Sequence, residues 1–138
     1  MWAHVESADY SKACAGVAVS DSPVGPFVYQ GSFRPNNAMS RDQTVFVDDD
    51  GRAYQFYSSE NNETMYISLL TDDYLKPSGR FTRNFVKESR EAPAVFKYRW
   101  VLSIPFFISC IRQQNPLTVL SKIILRKVKQ FNLPPQKK

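Results

Sequence analysis

Short runs of valine, isoleucine, phenylalanine and tyrosine recur along the first hundred residues, each closed by a cluster of turn formers. They fall at 16–20, 26–33, 43–47, 53–58 and 64–69, and residues 1–5 and 94–98 read the same way. Runs of this length, rich in β-branched and aromatic side chains and bounded by Gly, Pro, Asn and Asp, mark strands rather than helices. The expectation is an all-β body with no helix before residue 116. Turn chemistry supports it. Asp50-Gly51 stands between the runs at 43–47 and 53–58, and an Asp-Gly step supplies the positive φ of a tight hairpin. Ser22-Pro23-Val24-Gly25-Pro26 and Asn61-Asn62-Glu63 mark two more turns. Strands at this spacing fit a meander, a sandwich or a propeller blade.

From Pro116 onward the period changes. Leu117, Leu120, Ile124, Val128 and Phe131 fall on one helical face, with Lys122, Arg126, Lys127 and Lys129 set around it. This is the pattern of a basic amphipathic helix, which either attaches to an anionic surface or carries no function. The apolar run at 100–110 is broken by Pro105 and is too short to cross a bilayer, which takes about 20 residues.

Charge sharpens the division. The net +5 resolves into −3 over residues 1–98 and +8 over residues 99–138, where no acid occurs. The expected organisation is therefore a body at 1–98, near the lower limit for burying a core, and a basic apolar tail at 99–138. The body carries no basic stripe, so nucleic acid is not an expected partner, and neither is a membrane. Cys14 and Cys110 fall on opposite sides of the break; a disulfide framework is not expected, and each reads as a structural thiol. The N-terminus lacks the charged and apolar regions of a secretory signal. On that reading the glycosylation acceptor pattern Asn62-Glu63-Thr64 is taken as chance. Oligomeric state is not legible.

Two carboxylates have unusual surroundings. Asp42 follows Ser40-Arg41 and precedes a strand; Glu91 follows Ser89-Arg90 and precedes Ala92-Pro93 and another strand. Each acid thus stands beside an arginine at a strand entrance, where propellers and barrels collect functional groups. Glycoside hydrolysis needs such a pair, one carboxyl protonated to release the leaving oxygen and another ionised. Composition alone does not select these two from thirteen acids. The triple aspartate at 48–50 reads as a solvated turn tip, because the ligand spacing and closing glutamate of a calcium loop are missing. No metal or cofactor is expected.

Resemblance selects them. Residues 1–10, MWAHVESADY, followed by GVAVSDSPVGPF at 16–27, Met39-Ser40-Arg41-Asp42, Asp49-Asp50-Gly51-Arg52-Ala53-Tyr54, Tyr57-Ser58-Ser59-Glu60-Asn61 and the run from Ser89 to Tyr98, resemble glycoside hydrolase family 43. The likeness covers 1–98 and is greatest to plant and fungal members similar to exo-β-1,3-galactanases. It implies a five-bladed β-propeller that cleaves with inversion, of which about two blades are present. Carried onto this sequence, Glu91 matches the general acid, Asp42 the aspartate that orients the acid and tunes its pKa, and Tyr10 an aromatic set against the terminal sugar. His4 and Glu6, on the strand before Tyr10, are further candidates for substrate contact; for His4 a hydrogen-bonded structural imidazole is the competing reading. Trp2 reads as core.

The sequence also departs from the family pattern. The blade from which the family supplies its base is not matched, and the likeness stops at Tyr98. The expectation is a truncated glycosidase fragment, itself inactive, whose full-length relatives act on galactan or arabinogalactan side chains of plant cell walls and are secreted. Other readings remain. One is a carbohydrate-binding fragment without catalysis, another a product acting at membranes through the basic tail. A sucrose- or fructan-cleaving hydrolase fits less well, because its glutamate is followed by cysteine whereas Glu91 is followed by Ala92-Pro93.

Overall fold

The computed structural model describes residues 1–98, 101–103 and 107–108. The helix expected over 117–131 and the second cysteine, Cys110, lie outside them. The described residues form two antiparallel sheets and two small strand pairs. The first sheet has the order β1 (Trp2–Val5), β2 (Cys14–Val19), β3 (Val28–Phe33). A 3-10 turn, Pro35–Asn37, leads to a four-stranded meander of β4 (Gln43–Val47), β5 (Ala53–Ser59), β6 (Thr64–Leu70) and β7 (Pro77–Asn84). Two strands then follow, β8 (Arg90–Glu91) and β9 (Phe96–Tyr98). β9 pairs with β10 (Val101–Ser103), and β8 pairs with β11 (Phe107–Ile108). Pairing therefore continues past Tyr98 into the segment read from sequence as tail.

Predicted and observed strands agree to within about two residues from β1 to β6 and at β9; the short β8, β10 and β11 were not predicted, and neither was β7. Its sequence, PSGRFTRN, has one aromatic and no β-branched aliphatic residue. It is an edge strand whose exposure alternates along its length, and such strands owe their place to a neighbour rather than to their own propensity. Here that neighbour is Tyr66, which stacks on Phe81 at 5.5 Å with the rings 8° from parallel.

β5 and β6 are buried almost throughout, as central strands covered on both faces are. On one face Phe56, Met65 and Ile67 form the core, with Phe46, Tyr54, Phe85 and Val95 packed against it. Phe85 and Val95 come from the chain beyond β7, so the segment carrying β8 is pressed onto this face. The other face is more polar. Gln55 Nε2 donates to Gln43 Oε1 at 2.6 Å, the Tyr57 hydroxyl donates to Pro35 O at 3.2 Å, and Asn36 donates to both Tyr57 Oη and Ser68 Oγ at 3.1 Å. The connection between sheets is thereby fastened to the second sheet, and burial raises the Tyr57 phenol pKa. Tyr57, fully buried, finds the partners a buried hydroxyl needs in Pro35 and Asn36.

The Asp-Gly hairpin forms as predicted. Gly51 has φ +80 and donates its amide to Asp48 O at 2.9 Å. Its aspartates are not simply solvated: Lys97 on β9 reaches both Asp48 and Asp49, and Arg52 pairs with Asp50. Trp2 is half-buried, packs edge-on against Phe33 and donates Nε1 to Tyr74 O at 3.0 Å. Cys14 is a half-buried free thiol, its Sγ 3.2 Å from Lys12 O.

Candidate active site

The residue before β4 and the end of β8 meet at one end of the second sheet. β5 holds both. Arg41 N donates to Ser58 O at 3.0 Å and Ser58 N donates to Asp42 O at 2.9 Å, so the entrance to β4 continues its ladder with β5. From the same residue the Ser58 hydroxyl donates to Arg90 O at 3.1 Å. One buried serine thus fixes the backbone of the two arginine-acid pairs, which stand far apart in the sequence. The Ala92 amide donates to Asp42 Oδ2 at 3.2 Å. Asp42 is exposed and Glu91 half-buried.

Glu91 has a partner of its own. Asn62 Nδ2 donates to Glu91 Oε1 at 2.9 Å, while Glu91 Oε2 has no hydrogen-bond partner among the described residues. Asn62 sits in the β5–β6 turn, where Glu60, Asn61 and Asn62 all have positive φ. Two side chains brace this turn. Glu60 accepts from Thr64 Oγ1 at 2.6 Å and Tyr66 Oη at 2.9 Å and pairs with Arg83. Arg41 Nη2 lies 3.3 Å from Asn61 Oδ1 and 3.4 Å from Tyr10 O, tying the turn to the loop after β1.

Tyr10 stands on that loop with φ +58, its side chain 64% exposed. The loop is ordered by carboxylates. Glu6 Oε1 accepts from the Ala13 amide at 2.8 Å and the Ser7 amide at 3.0 Å, and its Oε2 lies 3.0 Å from His4 Nε2. The Ala13 bond, followed by those from Ser7 and His4, outweighs desolvation and lowers the Glu6 pKa to about 2. Asp9 Oδ1, accepting first from Ser7 Oγ and then from the Ser11 hydroxyl and amide, is likewise lowered to about 2. Ser40 N donates to Ala13 O at 2.8 Å, which joins the loop to the strand entrance.

Asp42, Glu91 and the backbone of Tyr10 therefore belong to one connected rim. His4 and Glu6 reach it through the backbone of Ala13 and Ser7, and the Glu6 carboxylate is occupied by their amides. Asn62, Asn61 and Ser58 were not singled out from sequence as site residues; three successive polar residues in a tight turn facing a candidate acid were the available signal. Five buried polar atoms around the rim lack partners among the described residues: Ser40 Oγ, Arg41 Nε, Ser59 Oγ, Asn62 Oδ1 and Arg90 Nε. No group of three or more His, Cys, Asp or Glu among the described residues converges as a metal cage. A groove of about 470 Å³, lined by Trp2, Val47, Phe27 and Tyr74 among others, lies at the opposite strand ends, and none of the candidate residues lines it.

The rim can hold one carboxyl, Glu91, by one oxygen, and a second, Asp42, against the next peptide along. That arrangement suits proton donation to a bound oxygen. Solved structures with the same backbone are sugar hydrolases. A GH43 β-1,3-galactosidase is 48% identical with a TM-score of 0.75, the match covering 77% of this chain and 23% of that one. A second, solved with galactodeoxynojirimycin, is 34% identical with a TM-score of 0.75, over 77% of this chain and 45% of that chain. The exo-β-1,3-galactanase of Phanerochaete chrysosporium, as a glutamate-to-alanine variant with β-1,3-galactotriose, is 35% identical with a TM-score of 0.73, over 77% and 25%. The chain thus spans less than half the length of these relatives. No match was found among curated proteins. The two sheets are blades of the β-propeller these structures share, and the model of glycosyl hydrolases family 43 matches residues 2–99. On these grounds the chain belongs to glycosyl hydrolases family 43.

Proposed function

We propose that the rim is the acid side of a galactan-directed glycosidase site, with Glu91 as general acid and Asp42 as the residue that positions it. The observation that carries this reading is the Ala92 amide bonded to Asp42 Oδ2, which couples the carboxylate of one strand entrance to the backbone beside the other. In the reaction, a protonated Glu91 passes its proton to the glycosidic oxygen as the bond from that oxygen to the anomeric carbon breaks, the electron pair staying on the oxygen. Water adds to the anomeric carbon from the opposite face and loses its proton to a carboxylate base, inverting the configuration. Tyr10, exposed beside the rim, offers an aromatic face to the apolar side of a galactose ring.

Inversion requires the base on the far side of the sugar. Among the described residues Asp42 is engaged by Ala92, and Glu6 and Asp9 are committed to their own loop. We infer that the 138 residues assayed alone bind β-1,3-linked galactose ends without turning them over. Incubation with β-1,3-galactotriose should perturb NMR signals around Tyr10 and Glu91 and release no galactose. Release of galactose would remove the claim of inactivity, and the absence of any perturbation would remove the site. The acid role is read in an active full-length relative. Replacing the glutamate matching Glu91 by Gln should abolish cleavage of substrates with poor leaving groups, a loss of about 10²–10⁴-fold, while substrates with activated leaving groups retain most of their rate.

A further inference from the structure

Glu91 is useful as an acid only if the proton sits on the oxygen facing the substrate. A carboxyl carries its proton on either oxygen, and a fixed donor at one of them decides the matter, because an oxygen already accepting a hydrogen bond is the poorer place for the proton. The structure provides one such donor, Asn62 Nδ2 at 2.9 Å from Glu91 Oε1, and none at Oε2 among the described residues. We propose that Asn62 is the positioning residue of the candidate acid: it reserves Oε1 as an acceptor and leaves Oε2 to carry and release the proton. The proposal rests on the functional reading above.

Three observations make Asn62 a constrained group rather than an incidental neighbour. Its turn is a run of three positive-φ residues, Glu60, Asn61 and Asn62, a conformation that asparagine tolerates better than most residues. The turn is clamped on one side by Arg41 to Asn61 Oδ1 and on the other by Thr64, Tyr66 and Arg83 to Glu60. The Asn62 amide is oriented as well as placed. Its Oδ1 is buried without a partner among the described residues, which leaves the amine edge as the half of the amide that meets the carboxylate. A flipped amide would set oxygen against oxygen. Arg41, next to Asp42 in the chain, thus also braces the turn that holds Glu91, so the two candidate acids share one support.

Replacement by Asp removes the donor at nearly constant shape, and replacement by Ala removes the polar group altogether. The test uses the full chain with ¹⁵N-labelled asparagine and ¹³C-labelled glutamate carboxyls. On acidification the Asn62 side-chain amide signals should shift in step with the Glu91 carboxyl carbon. In Glu91→Gln that shift should disappear, while the methyl signal of buried Met65 stays where it was in both proteins. In Asn62→Ala the Glu91 carboxyl carbon should move in chemical shift at neutral pH, because Oε1 loses the side-chain donor that Asn62 gives it. A purely structural Asn62 would leave that carboxyl signal unmoved. Asn62 signals that ignore Glu91 protonation overturn the proposal, even if β-1,3-galactotriose still perturbs the rim. Coupled titration in a chain that gives no response to galactotriose upholds the Asn62–Glu91 couple and removes the glycosidase reading instead.

Discussion

At the residue scale, the clearest consequence of the geometry concerns acid. Glu6 and Asp9 are both held at about 2, from ordinary values of 4.5 and 3.8, by hydrogen bonds made to their ionised forms. A carboxylate depressed on folding lends stability that is fully present above its unfolded pKa and is lost as pH falls through the folded one. The melting temperature should therefore decline from about pH 4.5 to about pH 2. Glu6→Gln should lower it at neutral pH and flatten the decline, and thermal melts across that window check both. An unchanged slope in the variant would mean the loop after β1 is not held by Glu6. Residue by residue, the sequence made Glu91, Asp42 and Tyr10 visible only through their resemblance to a family, since a carboxylate beside an arginine is common on any surface. Ser58 and Asn62 were invisible for a different reason. Their work lies in hydrogen bonds to residues about thirty positions away, and no local pattern encodes a partner at that distance.

At the element scale, β2 depends on a close approach that a substitution can probe. A Cβ on Gly16 would lie 2.6 Å from Val5 Cγ2, so Gly16→Ala should force β1 away from β2 and cost about 1–3 kcal/mol, as overpacking does. Denaturant midpoints measure this, and a Val5→Ala background should recover part of the loss. Most strands were legible because the runs at 43–47, 53–58 and 64–69 are apolar and flanked by turn formers, the last two of them central in the sheet. β7 was not, since Arg80, Thr82 and Arg83 look like loop until Tyr66 gives Phe81 a ring to stack on. The triple-aspartate turn was placed correctly, but its partner on β9 could not be known before the chain folds back.

At the scale of the whole molecule, the second sheet is gripped at both faces, by the Pro35–Asn37 turn on one and the segment around β8 and β9 on the other. Lys97 closes the second grip by pairing with Asp48 and Asp49. Lys97→Met should loosen β9 and β10 locally rather than unfold the protein, seen as faster amide exchange at Phe96–Tyr98 with exchange in β5 and β6 unchanged. Exposed pairs of this kind are worth little each, so raising the salt concentration should speed the same amides in the parent. A global loss of protection would show instead that the clip belongs to the main cooperative unit.

The place of Asn62 has a practical consequence for how the protein is made. Its Nδ2, the atom that meets Glu91, is also the atom to which a secretory host would attach a glycan in the triplet Asn62-Glu63-Thr64, and Thr64 is itself buried with its hydroxyl committed to Glu60. Glycan transfer precedes folding, so a eukaryotic expression line could deliver chains that carry a bulky saccharide where a hydrogen bond belongs, while a bacterial line would deliver unmodified ones. Batches from the two sources are then different molecules, and a gel shift after endoglycosidase treatment tells which one is in the tube.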